Sequence, residues 1–422
     1  MGNYATPGVY IEEVSSGPRP IQAVGTRTAG FVGQIAKHKK PAKEAEVFNS
    51  YRQFLTRFPE VKEAPNDLSR SVRGFFENGG GRCWVADVGE TGEVDREGER
   101  FGLSLFNAID EIAIVAAPGF TTAAAYDAVR AHCERLRDRV GILDGPKDVE
   151  PRDIERLTRA IQDAPPPRRA AAAAPDAGDG DGDPAPSGSK KGGLRPSDSD
   201  RGFVTTYFPW LLVRDPGSKE AVLAPPAGHI AGVWARTDAL RGVHKAPANE
   251  PVLGTTGLAY DVTAQEQEIL NPVGVNCIRF FARGGVLVWG ARTLSADPQW
   301  RYLNVRRLFC MIEESIITST RWVVFEPNDE RLWKALKRDV SAFLRLLWRD
   351  GALMGRTPDE SFYVKCDYDT NTPEDIDAGR VVVEVGIAPV KPAEFIVFRI
   401  SQSEPGGSAS EGEGGGEGGG EA

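Results

Sequence analysis

The residues able to donate, accept or attack are spread thinly along this chain. Its four histidines, His38, His132, His229 and His244, are remote from one another, and no H-x-H or H-E-x-x-H spacing brings two onto one face. The adjacent carboxylates Glu12-Glu13 and Glu313-Glu314 project to different faces of a helix or a strand, so neither pair forms an acid–base couple. No G-x-S-x-G elbow and no G-x-x-x-x-G-K-S/T loop occurs. Gly79-Gly80-Gly81 follows a helical pattern and precedes a strand, the reverse of the order that points backbone amides at a phosphate. Cys83, Cys133, Cys277, Cys310 and Cys366 lack C-x-x-C spacing and sit in apolar contexts, which reads as buried thiols in a reducing cytosol. The Asp-Gly alternation over residues 178–183 lacks the closing Glu and flanking helices of a calcium loop. The expectation is a non-enzyme with no cofactor and no metal site.

Length and charge narrow the class further. At 422 residues the chain holds two or three domains by size. A formal net charge of −9 argues against a nucleic-acid binder that relies on a global basic field. No apolar stretch is long enough to span a bilayer, and the first residues lack the basic and apolar regions of a secretory signal.

The elements that would position any working residues are legible from periodicity. Val9-Tyr10-Ile11-Glu12-Glu13-Val14 is a short strand isolated between Pro7-Gly8 and Gly17-Pro18, with no local hairpin partner. Leu68, Val72, Phe75 and Phe76 mark a helix ended by the triple glycine, and Cys83–Val88 a strand. Ile112–Ala116, a helix carrying Tyr126, Val129, Cys133 and Leu136, and Val140–Leu143 form a strand–helix–strand unit whose strands should be parallel. From Pro165 to Gly193 there is no Leu, Ile, Val or aromatic residue, so a disordered insertion is expected at about 165–200.

The C-terminal third is strongly patterned. Gly285–Gly290 reads as a strand, and Leu303, Leu308, Ile312 and Ile316 as one helix face. Trp322-Val323-Val324-Phe325 reads as a buried strand ended by Pro327. An amphipathic helix over Asp329–Trp348 follows, with the stripe Leu332, Leu336, Val340, Phe343 and Leu347, and with Lys334, Lys337, Arg338 and Arg345 away from it. Phe362–Cys366, Val381–Ile387 and Phe395–Ile400 are three further strands, and residues 403–422 are a flexible Gly/Glu tail.

Several ordered runs carry a family resemblance. They are Pro7-Gly8-Val9-Tyr10-Ile11-Glu12-Glu13, Tyr207-Phe208-Pro209-Trp210, Pro225–Gly232, Trp234–Asp238 and Lys245–Glu250. Leu270–Asn276, Trp289–Leu294, Trp300–Leu308, Glu313–Ile316, Phe325–Asp329 and Ala388–Phe395 complete the set. Over about Tyr207 to Ile400 the chain resembles the tail sheath proteins of contractile phages, R-type pyocins and extracellular contractile injection systems. Residues 90–200 match much less.

The resemblance implies an α/β subunit of mixed sheets with two domains and extended terminal arms. The inner, tube-facing domain combines residues 1–30 with 266–402, and the outer domain spans 31–265. It also implies a helical homo-polymer of hexameric rings around an inner tube protein, with baseplate and terminal cap proteins as further partners. Such a sheath contracts to drive the tube through a target envelope, consumes no nucleotide, and assembles in the cytoplasm of the producing bacterium. Neither nucleic acid nor direct membrane insertion is involved. The arms then become strand donors to neighbouring subunits: Val9, Tyr10, Ile11, Glu12, Glu13 and Val14 at one end, and Phe395, Ile396, Val397, Phe398, Arg399 and Ile400 at the other. Lys334, Lys337, Arg338 and Arg345 become contacts to an acidic tube. Pairing of the arms within their own chain and an ordinary solvated helix face are the alternatives at residue level. A non-contractile tail component, or a hydrolase or nucleotide-dependent enzyme, are the alternatives for the whole chain.

Overall fold

Long runs of Val, Ile, Ala and Phe without polar alternation make strands that must be covered on both faces, and the first two thirds of the chain is built around them. The computed structural model describes residues 20–35, 40–161 and 192–397. In chain order it has β1 (Ala29–Gly33), β2 (Glu46–Phe48), α1 (Tyr51–Arg57), α2 (Glu60–Glu63), α3 (Asp67–Glu77), β3 (Cys83–Asp87) and β4 (Ile114–Ala116). Next come α4 (Ala123–Leu136), β5 (Val140–Asp144), β6 (Val204–Phe208), β7 (Leu211–Arg214), β8 (Ala221–Ala224) and α5 (Ala227–Arg241). After these lie β9 (Glu250–Pro251), β10 (Thr255–Leu258), α6 (Ala264–Leu270), β11 (Val275–Phe281) and β12 (Gly285–Val288). The last third carries α7 (Leu303–Ser319), α8 (Glu330–Arg349), α9 (Pro358–Ser361), β13 (Phe362–Lys365), α10 (Pro373–Asp377) and β14 (Glu384–Ile387).

Nine strands form one sheet in the order β2-β3-β1-β4-β5-β6-β11-β12-β9. Its centre, from β3 through β11, is parallel, and β4 pairs with β5 in the parallel sense expected of the strand–helix–strand unit. Antiparallel β2, β12 and β9 close its two sides. β10, β7 and β8 form a second sheet, and β13 and β14 a third. The fold is therefore mixed α/β, as the sequence implies. The large sheet runs past the expected 265/266 boundary, which falls within α6.

Close helix packing explains one of the family-like runs. A Cβ on Gly228 would lie 2.2 Å from the Ser71 carbonyl oxygen, and one on Gly232 2.4 Å from that of Phe75. The Gly-x-x-x-Gly spacing of α5 thus lets its backbone lie directly on α3. His229 between them is fully buried, and desolvation lowers its pKa to about 3, so it packs as a neutral ring. His132 is likewise buried and lowered to about 3.

The helical C-terminal region has smaller cores. One joins Leu308, Met311 and Ile312 of α7 to Val340, Phe343, Leu344 and Leu347 of α8, and takes in Ile21 from the N-terminal segment. Another places Leu332, Trp333 and Leu336 against Cys366. All five residues of the α8 stripe are buried, Asp329 caps the helix by accepting from the Leu332 amide, and the helix ends one residue later than its pattern suggests.

One element departs from its sequence signal. Trp322–Phe325 is not a buried strand: Arg321–Val323 is a 3-10 turn, Val324 is 64% exposed and Phe325 fully exposed with φ of +71°. Trp322 and Val323 pack half-buried against Leu332, Trp333 and Leu336 within a turn between α7 and α8, and packing of this kind overrides the run's β propensity. The strand at Val381–Ile387 is also shorter than its pattern, covering only Glu384–Ile387.

The chain divides into residues 1–391 and 392–422. In the second unit the described stretch, 392–397, has no helix or strand, and Phe395, Ile396 and Val397 are 75–79% exposed.

Candidate functional site

No catalytic constellation emerges from the described residues. They contain no group of three or more His, Cys, Asp or Glu arranged to hold a metal. All five thiols are buried, and burial pushes Cys277 up to about 12 and Cys310 to about 11, far from reactive thiolates. Among the described residues no helix is long and apolar enough to cross a membrane. What the structure offers is surface.

The first surface is α8. Its buried stripe fixes the rotation of the helix, and that rotation places Lys334, Lys337, Arg338 and Arg345 together on the exposed face at helical spacing. Arg331 and Arg349 extend the same face. Lys334 pairs with Glu330 at 2.8 Å and Arg338 with the buried Asp339 at 2.9 Å, hydrogen bonds that raise both cations above their usual pKa. Lys337 and Arg345 form no ion pair among the described residues, which leaves their charge available. The four residues predicted to act together do share one face.

The second surface is the edge of β13 and β14. These strands pair antiparallel, Phe362 opposite Ile387 and Lys365 opposite Glu384. Each has only one strand neighbour among the described residues, so its other side meets no strand there, although the Phe362 amide donates to the Pro358 carbonyl. A two-stranded sheet is marginal alone; here α8 supports it from one side.

The predicted donor strands fall mostly outside this description. Val9, Tyr10, Ile11, Glu12, Glu13 and Val14 lie beyond the described residues, as do Phe398, Arg399 and Ile400. Phe395, Ile396 and Val397 are the exposed residues of the second unit noted above.

Residues that sequence reasoning passed over lie where the N-terminal segment meets α7. Ser319 Oγ accepts from the Gln22 amide at 3.3 Å, and Ser315 Oγ from the Val24 amide at 3.0 Å. Arg307 forms a buried two-pronged pair with Asp238, at 2.9 and 2.7 Å, and donates to the Thr26 carbonyl at 3.0 Å. The Thr26 hydroxyl donates to Asp238 at 2.5 Å. Beside this grip, Arg306 stacks on Trp300 and Phe203. Arg306, Arg307 and Asp238 all sit in the family-like runs; a sequence shows that such charges occur there but not that they are buried.

Residues 201–294 match the phage tail sheath protein central domain, and residues 295–403 match the phage tail sheath C-terminal domain. The tail sheath protein of Salmonella phage ViI is 28% identical over 211 residues, 49% of this chain and 32% of that protein. That of Escherichia phage P2 is 25% identical over 204 residues, 46% of this chain and 49% of that protein. The matched segment thus spans half or less of these curated relatives. Solved structures extend the likeness over nearly the entire chain. The sheath of an extracellular contractile injection system, PVC, in its contracted state is 27% identical with a TM-score of 0.71, covering 96% of this chain and 99% of that one. The helical sheath of the anti-feeding prophage, also contracted, is 29% identical with a TM-score of 0.70, covering 95% and 100%.

Proposed function

Because this chain belongs to the tail sheath family, we propose that it is the structural subunit of a contractile sheath, polymerising as stacked hexameric rings around an inner tube. The observation that carries this reading is the near-complete correspondence with two sheaths in a contracted state, from end to end of both chains. The sheath shortens and widens to drive the tube through a target envelope, and the energy is held in the lattice. Baseplate and cap proteins bound the polymer.

The surfaces divide the work. The terminal arms, Val9–Val14 and Phe395–Ile400, add strands to neighbouring subunits, and the open edges of β13 and β14 are the acceptor. With each hydrogen bond worth roughly 1 kcal/mol net, a six-residue strand contributes on the order of 3–6 kcal/mol per link. The exposed face of α8 meets an acidic tube through Lys334, Lys337, Arg338 and Arg345. Solvated charge contacts hold the extended form yet give way as the sheath widens. The packing of Ile21 against α7 and α8 supports grouping residues 1–30 with the C-terminal region as the inner domain.

Electron microscopy of the chain co-expressed with its tube protein tests this division. Deletion of residues 1–19 is expected to leave soluble subunits or isolated rings, and Lys337→Glu with Arg338→Glu to yield no sheath on tube. Normal sheathed tubes from both variants would sink the assignment of these surfaces.

A further inference from the structure

The segment 20–26 has no regular secondary structure, yet it is held at regular intervals. Gln22 and Val24, two residues apart, place their amides on Ser319 and Ser315, four residues apart on α7. The spacings agree: two residues of extended chain advance about 6.6 Å, and four of helix about 6 Å. The segment therefore runs antiparallel to α7, in register with successive turns. Just ahead of these ties Ile21 is buried in the α7–α8 core. Two residues beyond Val24, Thr26 is gripped at both its carbonyl and its hydroxyl by the Arg307–Asp238 pair. That pair is almost wholly buried, with side chains 3% and 2% exposed, and the guanidinium lies 4.7 Å over the Trp234 ring.

We propose that residues 20–26 are a mechanical strap that anchors the N-terminal arm to α7, with the buried Arg307–Asp238 pair as its fixed end. This rests on the sheath reading above, and names the residues through which that arm pulls on the subunit body. A pull along the strap loads the Gln22 and Val24 bonds and the Thr26 grip together, whereas a pull across it breaks them in turn. Arg307 and Asp238 are positioning residues in this account. They join the strap to α7 and α5 at once, because Arg307 lies on the first and Asp238 on the second. A buried pair suits that role, since its separation leaves two uncompensated charges out of water. The strap lies outside the two matched domains, which begin at residue 201.

The test uses the full chain carrying Ser315→Ala and Ser319→Ala, changes small enough to leave α7 intact, and separately Arg307→Lys, which keeps the charge and loses the fork. Hydrogen exchange on the subunit should show the Gln22 and Val24 amides opening roughly five-fold faster or more in the serine variant, with the large sheet unchanged. Both variants should assemble into extended sheath of normal length on tube, and both should break into short pieces on contraction. Contracted sheaths of wild-type length from both variants would overturn the strap alone. Failure of the unmodified chain to form any contractile polymer would overturn the sheath reading and the strap with it. Unchanged exchange at Gln22 and Val24 would show that the serine ties do not hold the segment.

Discussion

The sheet region and the helical C-terminal region are built to opposite rules. Around the nine-stranded sheet one large core gathers buried residues from Ala29 to Cys310, with Phe31, Phe54, Phe75 and Trp234 all inaccessible. The C-terminal region instead carries small cores on α7 and α8 and keeps much of its apolar and basic surface outside, including Phe325, Leu346, Tyr368 and the cations of α8. The first arrangement buries its apolar surface in one core; the second leaves charge and apolar side chains exposed to solvent. A subunit whose contacts must change while its body stays intact needs both, and they are kept in different parts of the chain.

Breaking that contrast from the sheet side should cost most. Phe75 packs edge-on against Phe31 at 5.5 Å in the main core, so Phe75→Ala is expected to lose roughly 3–5 kcal/mol in denaturant unfolding. Gly228→Val would press a branched side chain into the α3 backbone, for a loss of about 1–3 kcal/mol, read as a lowered thermal midpoint.

Acid probes the same region. Unfolded histidine takes up a proton below about 6.5, whereas His132 and His229 stay neutral in the fold down to about 3. Their folded values are depressed, so the unfolded state binds more protons and stability falls as pH falls through that window. Each residue contributes on the order of 1 kcal/mol per pH unit. His132→Gln should make the decline in thermal midpoint between pH 6.5 and 4.5 shallower; an unchanged slope would contradict the burial argument.

On the other side of the comparison, stability should barely respond. Lys337→Glu with Arg338→Glu is expected to change unfolding by no more than about 0.5 kcal/mol, while the proposed tube contact predicts that it abolishes sheathing of the tube. Phe325→Gly should be the mildest of all, within about 0.5 kcal/mol or slightly stabilising, because it relieves a left-handed non-glycine residue and uncovers nothing. A cost of several kcal/mol would mean that Phe325 is not the exposed residue described.

What the sequence made legible follows the same divide. The α8 stripe, Leu332 through Leu347, and the parallel pair β4–β5 were readable because periodicity and unbroken apolar runs report burial directly. The α8 cations were readable as a group for the same reason, since a buried stripe fixes the opposite face. Trp322–Phe325 misled because hydrophobicity alone cannot distinguish a strand from a turn between helices that buries one half of the run and exposes the other. The contacts of the strap at 20–26 were not legible, although Asp238, Arg307 and Ser315 sit in family-like runs. Ser315 and Ser319 look like any helix surface residues, and their partners are nearly 300 positions away in sequence.

The most direct test of the sheath reading is electron microscopy of the polymers formed by the chain with and without its tube protein, with measurement of diameter and axial repeat. The account predicts two helical forms: a long, narrow one around the tube and a shorter, wider one without it. A single lattice spacing under both conditions would contradict contraction and point to a static tail component.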